Sequence, residues 1–170
     1  MKRNDFWKAY ILLLIAQLII SNYFRFTPFV MLSILPVMIL SVPIRVNRFA
    51  LLLVAFASGL FVDWLSEGVL GLNALALVPV AYARNSVLRV VFGNELLARK
   101  ENYTVKSNGL ASVTMAIVMV QALFLILYIW VDSAGTRTFL FNFGRFLASL
   151  VVGVLVSLLT LNVLATETRR

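Results

Sequence analysis

Histidine and cysteine are both absent from this 170-residue sequence. Their absence removes disulfides, thiol redox chemistry, His/Cys metal sites and every catalytic triad that needs an imidazole base. Charged residues are also scarce, at 13% of the chain, which is about half of their usual share in a soluble domain. We therefore expect that the protein carries neither a metal ion nor a cofactor.

Apolar residues, in contrast, make up 62% of the chain, and the mean hydropathy is +0.97. A soluble domain of this size has too high a surface-to-volume ratio to bury so much apolar side chain. The surplus must face lipid, so the sequence predicts one all-α integral membrane domain over residues 1–170. The net charge of +8 then reports membrane orientation first, and no nucleic-acid partner is expected.

Six apolar stretches are candidates for membrane spans, which need about 20 residues each. They cover about 7–23, 29–42, 48–65, 69–83, 108–131 and 139–165. The second and fourth are short for a straight crossing, and both contain proline, which kinks a helix. The sequence thus predicts a six-helix transmembrane bundle.

A cytoplasmic loop of about 84–107 follows the fourth predicted span. Its first part has apolar residues at helical spacing, with Arg84 and Arg89 among them. Two interpretations stay open. Either this segment lies on the inner leaflet, or the fourth span continues into water.

Lysine and arginine test the number of spans, because cytoplasmic segments carry an excess of both. With a cytoplasmic N-terminus, six spans place 12 of the 15 basic residues inside and leave Arg25, Arg137 and Arg145 outside. A wrong number of spans would scramble this division. The sequence therefore predicts a multi-pass membrane protein with both termini in the cytoplasm.

Asp63 stands out at the outer end of the third predicted span, because a carboxylate near a membrane span is costly. Ala55 and Gly59 precede it at helical spacing, so the three residues share one face. The acid is either a structural or ligand-contacting group, or a solvated residue at a helix end beside Glu67, and the bare sequence favours the solvated residue. The glycine-rich run 59–73 predicts a tight turn between two closely packed helices.

Small residues form a stripe along the sixth predicted span, at Ser149, Gly153 and Ser157. Such a stripe lets another helix approach closely, and the Ala55–Gly59 face has the same character. Both are candidate helix-docking faces. The partner of the stripe is an internal helix or another protein, and the internal helix is the commoner case in a bundle.

Polar side chains are rare in the last two predicted spans. Arg145 either snorkels outward or pairs with Asp63 or Asp132, and Gln121 is more often an interhelical hydrogen-bonding residue than a ligand contact. An enzyme is not expected. A serine mechanism would need a basic residue in the membrane, and an aspartyl mechanism would need two facing acids there, whereas Asp63 and Asp132 lie at span ends.

Several short motifs follow one another between Pro28 and Asn85. They are Pro28 at the start of the second span, the turn Val42-Pro43-Ile44-Arg45-Val46-Asn47, then Gly59-Leu60-x-x-Asp63, Leu70-Gly71-Leu72 and Ala81-Tyr82-Ala83. In order and spacing they resemble the rod shape-determining membrane protein family, MreD, over about a third of the chain. The residues that match the family's motifs are Gly59, Asp63, Gly71 and Arg45.

The resemblance implies a fold like that of the six-helix substrate-binding subunits of energy-coupling-factor vitamin transporters. It implies a non-catalytic scaffold of bacterial cell-wall elongation, located in the cytoplasmic membrane and surrounded by lipid. The implied partner is MreC and, through it, the actin-like MreB and the glycan polymerase and transpeptidase of lateral wall synthesis. Whether the protein forms a homodimer stays open.

A rival hypothesis uses the same fold for a vitamin-binding transporter subunit. Such a subunit needs a pocket near the outer face, to which Asp63, Asn73, Asn142 and Arg145 could contribute polar groups. It also needs a small-residue face for its coupling subunit, and either candidate docking face would serve. The pocket therefore discriminates between the two hypotheses.

Overall fold

The computed structural model describes residues 3–23, 30–67, 69–93, 109–134 and 137–167. All regular secondary structure in these ranges is helical, which confirms the predicted all-α class. The elements are α1 (Arg3–Tyr23), α2 (Leu35–Ser41), α3 (Arg48–Val62), the π-helical turn π1 (Asp63–Glu67), α4 (Leu72–Phe92), α5 (Leu110–Ser133) and α6 (Phe139–Glu167).

Five helical stretches in the described ranges are long and apolar enough to cross a membrane. They are Phe6–Tyr23, Arg48–Ser66, Leu72–Phe92, Leu110–Ser133 and Phe139–Leu161. A helix needs about 20 residues for this crossing, and each of the five comes within a few residues of that length. This supports the prediction of a multi-pass transmembrane protein.

The second predicted span differs from the expectation of one continuous helix. Residues 30–34 have no regular secondary structure, and only Leu35–Ser41 is helical. Pro36 is the second residue of α2, where its missing N–H costs nothing, because the first N–H groups of a helix have no partner within it. A helix that ran through residues 30–34 would need this N–H as a donor to the Leu32 carbonyl and would press the proline ring against it, so the helix starts one residue before the proline. Pro28 lies outside the described residues.

The α4 helix is longer than the fourth predicted span. It continues through Arg84 to Phe92, so this part of the predicted loop is a continuation of the span. Pro79 lies inside α4 without ending it. The rest of the predicted loop, from 94 to 107, is outside the described residues.

The core of the bundle surrounds the short helix α2. Residues Leu35 to Leu40 are all buried, and α2 packs against every other α-helix of the described bundle. Each of the helices α3, α4 and α5 also packs against the next helix along the chain. The irregular second segment is thus enclosed by protein, which is the condition for non-helical backbone at membrane depth.

Candidate functional site

Asp63 is fully buried, with 0% of its surface exposed, at the junction between α3 and α4. Its Oδ2 accepts hydrogen bonds from the backbone N–H groups of Gly71 (3.0 Å) and Ala74 (3.2 Å). Its Oδ1 accepts from the backbone N–H of Asn73 (2.9 Å) and from Asn73 Nδ2 (3.0 Å). The expectation of a solvated acid is therefore wrong. The alternative of a structural acid agrees with the geometry.

The four donors explain why a carboxylate is used here. The first N–H groups of any α-helix lack partners within that helix, and α4 begins at this point. Its N-cap is Gly71, which has no side chain to cap the helix. Asp63 supplies the cap from the preceding helix, and its negative charge lies at the positive end of the α4 dipole.

Gly59 sets the distance between α3 and α4. A Cβ atom on this residue would lie 2.5 Å from the Ala74 Cα, 2.6 Å from the Ala74 nitrogen and 2.9 Å from the Asn73 carbonyl carbon. Real Cβ contacts are not this short, so only glycine fits without moving backbone. Because Asp63 lies one turn after Gly59, this close approach brings the carboxylate to the start of α4.

Gly71 gives the chain its change of direction before α4. Its φ is +95°, in the left-handed region that favours glycine. The predicted tight turn between two closely packed helices is thus what the structure contains. Three of the four motif residues, Gly59, Asp63 and Gly71, act together at this one junction.

The fourth motif residue, Arg45, lies elsewhere. It is in the turn between α2 and α3, which is closed by the hydrogen bond from the Val46 N–H to the Pro43 carbonyl (3.1 Å). Its side chain is exposed. Arg45 therefore contributes surface charge, while the other motif residues build the interior.

The four predicted pocket residues fall into two separate groups. Asp63 and Asn73 bind each other, whereas Arg145 pairs through Nη1 with Asp132 Oδ2 at 2.5 Å. Among the described residues, no hydrogen bond or ion pair joins Asp63 to Arg145. Asn142 lies three residues before Arg145 on α6, and its buried Oδ1 has no hydrogen-bond partner in the described part of the chain.

Both candidate docking faces are occupied inside the bundle. Ala55 and Gly59 are buried, and Gly59 packs on the α4 backbone. The stripe of Ser149, Gly153 and Ser157 is buried as well. A Cβ on Gly153 would lie 2.5 Å from Gln121 Nε2 in α5. The partner of the stripe is therefore an internal helix.

Side chains from three helices bind the irregular segment 30–34. Gln17 in α1 accepts the Ile34 N–H at its Oε1 (2.8 Å), and Gln121 Nε2 donates to the Ser33 carbonyl (3.2 Å). Ser149 Oγ in α6 accepts the Met31 N–H (2.8 Å). These bonds replace the ladder that a continuous helix would have formed.

Gln17 and Arg84 are structural residues that the sequence analysis missed. Gln17 is 2% exposed. In the sequence it is a strongly polar residue within an apolar run, which is the same pattern that Gln121 shows in α5. Arg84 is 1% exposed, although it was assigned to the cytoplasmic loop. Its Nε donates to the Leu40 carbonyl (3.1 Å) and its Nη2 to the Val42 carbonyl.

Arg84 caps the C-terminus of α2 from the neighbouring helix α4. The last carbonyls of a helix lack partners within it, and a cation is favourable at that end. A buried arginine needs such acceptors, since it is almost never fully buried without them. Asp63 therefore caps the N-terminus of α4, and Arg84 caps the C-terminus of α2.

The described residues contain no group of three or more His, Cys, Asp or Glu side chains that could hold a metal ion. Comparison of the chain with models of protein families, with curated proteins and with solved structures finds no match.

Proposed function

We propose that the chain is a non-catalytic membrane scaffold of the bacterial rod complex, of the MreD type that its motifs resemble. In this role it binds MreC in the cytoplasmic membrane. Through MreC it contributes to the placement of MreB, the glycan polymerase and the transpeptidase. Its contribution to cell shape and lateral peptidoglycan synthesis is to hold partners together.

The observation that carries the proposal is the complete use of the Asp63 carboxylate. Its two oxygens accept four N–H donors from the start of α4. A carboxylate has about four acceptor positions, so none is left for a substrate. The most conspicuous buried acid is committed to holding two helices together, as suits a protein whose task is structural.

Arg45 is the motif residue that a partner could reach. It is exposed in the turn before α3, beside the equally exposed Arg48. A guanidinium on the membrane surface binds carboxylates through paired N–H donors. We therefore place the cytoplasmic contact of the scaffold at this turn.

The proposal includes a six-crossing fold like that of the vitamin-binding subunits. Residues 35–41 as a helix cover about 10 Å of the roughly 30 Å of a bilayer core, and a non-helical chain such as residues 30–34 reaches further per residue than a helix does. The second segment can then complete a crossing without being a full helix. Both termini are cytoplasmic in this topology, which agrees with the 11-to-3 division of basic residues that remains when the buried Arg84 is set aside.

A second candidate function is the small-molecule binding subunit of an energy-coupling-factor type transporter. One observation favours it. The Oδ1 of Asn142 and the Nε of Arg145 are buried without a hydrogen-bond partner in the described part of the chain, one turn apart on α6. A polar ligand near the outer end of α6 could engage both atoms.

The test is affinity purification of the tagged full-length protein from native membranes, with proteins and small molecules both identified by mass spectrometry. The scaffold predicts recovery of MreC and wall-synthesis enzymes, with lipid alone in the small-molecule fraction. A coupling subunit, ATPases and a stoichiometric vitamin would establish the second candidate instead. Recovery of neither set would contradict the scaffold.

Paired variants test the proposed contact site in the same experiment. Arg45→Ala should lower the recovery of the rod-complex proteins several-fold without reducing the amount of folded protein, because the side chain is exposed. Arg48→Ala, three residues away and also exposed, is the matched control. Equal recovery with both variants would remove Arg45 from the contact.

A further inference from the structure

Two polar atoms at the α5–α6 interface have no hydrogen-bond partner among the described residues. They are Gln121 Oε1 and Ser157 Oγ. Both residues are 0% exposed. An unpaired polar atom in a protein interior destabilises the fold, and lipid offers no hydrogen bonds to replace those of water.

The surroundings fix which atom of the Gln121 amide is left over. Its Nε2 donates to the Ser33 carbonyl at 3.2 Å and packs against Gly153. Exchanging the amide atoms would set two carbonyl oxygens against each other, so Oε1 is the acceptor that lacks a donor. Ser149, at the other end of the stripe, already accepts the Met31 N–H.

Ser157 is therefore the hydroxyl of the stripe without a partner, and it lies one turn beyond Gly153. The Gln121 amide lies against Gly153, so Ser157 is about 6 Å further along the same face of α6. The two orphaned atoms do not bond each other directly. One water molecule can bridge two such atoms across about 4.5 Å, because its two hydrogen bonds of about 2.8 Å meet at roughly the tetrahedral angle.

We infer that one internal water molecule is bound between Gln121 Oε1 and Ser157 Oγ. The water donates one proton to the amide oxygen and exchanges a second hydrogen bond with the hydroxyl. Buried waters in proteins make about three such bonds, typically to groups that lack other partners. The site is independent of the proposed function, since it involves no partner protein.

The position of this water gives it a structural task. Gln121 Nε2 binds the irregular segment 30–34 through the Ser33 carbonyl, and the water binds Oε1 of the same amide. Gly153 leaves the space in which that amide lies, because a Cβ there would meet Nε2 at 2.5 Å. The small-residue stripe thus forms part of a water-binding site beside Gln121, in addition to packing against α5.

Glutamine labelling tests the inference, because the chain has two glutamines, Gln17 and Gln121. Gln17 is the internal control. It is equally buried, but its Oε1 accepts the Ile34 N–H and its Nε2 donates to Ser21 Oγ (2.9 Å). The full-length protein, labelled with 15N-glutamine in lipid bilayers, is measured by water-edited solid-state NMR.

Magnetisation from water should reach the side-chain amide of Gln121 within milliseconds and that of Gln17 far more slowly. In the Ser157→Ala variant, the Gln121 signal should fall to the level of Gln17. Equal and slow transfer to both glutamines in the unmodified protein would overturn the inference.

Unfolding measurements give a second readout. With the water present, Ser157→Ala should lower the midpoint of denaturant-induced unfolding, and the effect should vanish in a Gln121→Met background. An unpaired hydroxyl predicts the opposite sign, because removing it relieves a penalty. Coupling between the two positions without water transfer would mean a direct bond, which also contradicts the inference.

Discussion

Gly59 and Ala74 lie in direct contact across the α3–α4 junction, with no room for a methyl group between them. The Cβ that alanine would add at position 59 meets backbone atoms of Ala74 at 2.5 and 2.6 Å. Backbone atoms in a packed helix cannot swing aside as a flexible side chain can. The contact therefore fixes the separation of the two helices, and with it the reach of Asp63 to the start of α4.

Replacement of Gly59 by alanine should destabilise the protein. The added methyl group forces α3 and α4 apart, and overpacking of this kind costs about 1–3 kcal/mol. The free energy of unfolding in detergent micelles is the measurement. Gly144 in α6 is the matched control, since a Cβ there meets nothing within 4 Å. Helix propensity alone favours alanine at both positions, so equal effects of the two substitutions would contradict a role for the contact.

Asp63→Asn should lower stability by about 1–3 kcal/mol. The amide NH2 group that replaces one carboxylate oxygen cannot accept the hydrogen bonds that this oxygen accepted. The backbone N–H groups of Gly71 and Ala74, or that of Asn73, would lose their acceptor. Asp132→Asn gives the comparison, since that acid is 31% exposed and its pair with Arg145 is worth up to about 1 kcal/mol. A smaller loss at Asp63 than at Asp132 would refute the capping role.

Arg84→Leu should be more damaging than the same change at Arg89. Arg84 is buried and bonds the carbonyls of Leu40 and Val42, whereas Arg89 is exposed on the same helix. Each carbonyl that loses its donor costs about 1–3 kcal/mol. Proteolysis in the turn after α2 should accelerate in the Arg84 variant alone. Indistinguishable unfolding curves for the two variants would argue against the α2 cap.

Single-cysteine labelling can establish the membrane topology, because the chain has no native cysteine to interfere. Cysteines at positions 45 and 137 should label from opposite sides, since α3, α4 and α5 separate them. The informative pair is Lys2→Cys with Arg45→Cys. Six crossings place both in the cytoplasm. Labelling from opposite sides would mean that the second segment does not cross.

Sequence alone predicted the helical class, the membrane spans of the long helices and the tight turn around Gly71. These features follow from the amount and spacing of apolar and glycine residues, which a sequence displays directly. The sequence also favours an internal helix as the partner of the stripe that contains Gly153. It does not favour burial of Asp63, because three of the four donors to this carboxylate are backbone N–H groups. Backbone groups carry no signal in a sequence.

Arg84 and the second segment were missed for related reasons. A basic residue after an apolar run is ordinarily a topology signal, so the interior position of Arg84 depended on knowing that α2 ends beside it. The irregular stretch before Pro36 is as apolar as a helix would be. Only its partners distinguish it, and those partners include single polar residues far along the chain, such as Gln121 and Ser149.

The irregular segment 30–34 also constrains the order in which the protein can fold. The bond between Ser33 and Gln121 joins residues 88 positions apart, and the bond between Met31 and Ser149 joins residues 118 positions apart. Both partners leave the ribosome long after residues 30–34 do. The second segment therefore reaches the membrane before its binding partners exist, and it takes its final place only when α5 and α6 have been inserted. The last step in the folding of this protein is accordingly the packing of an early segment, residues 30–34, against the late helices α5 and α6.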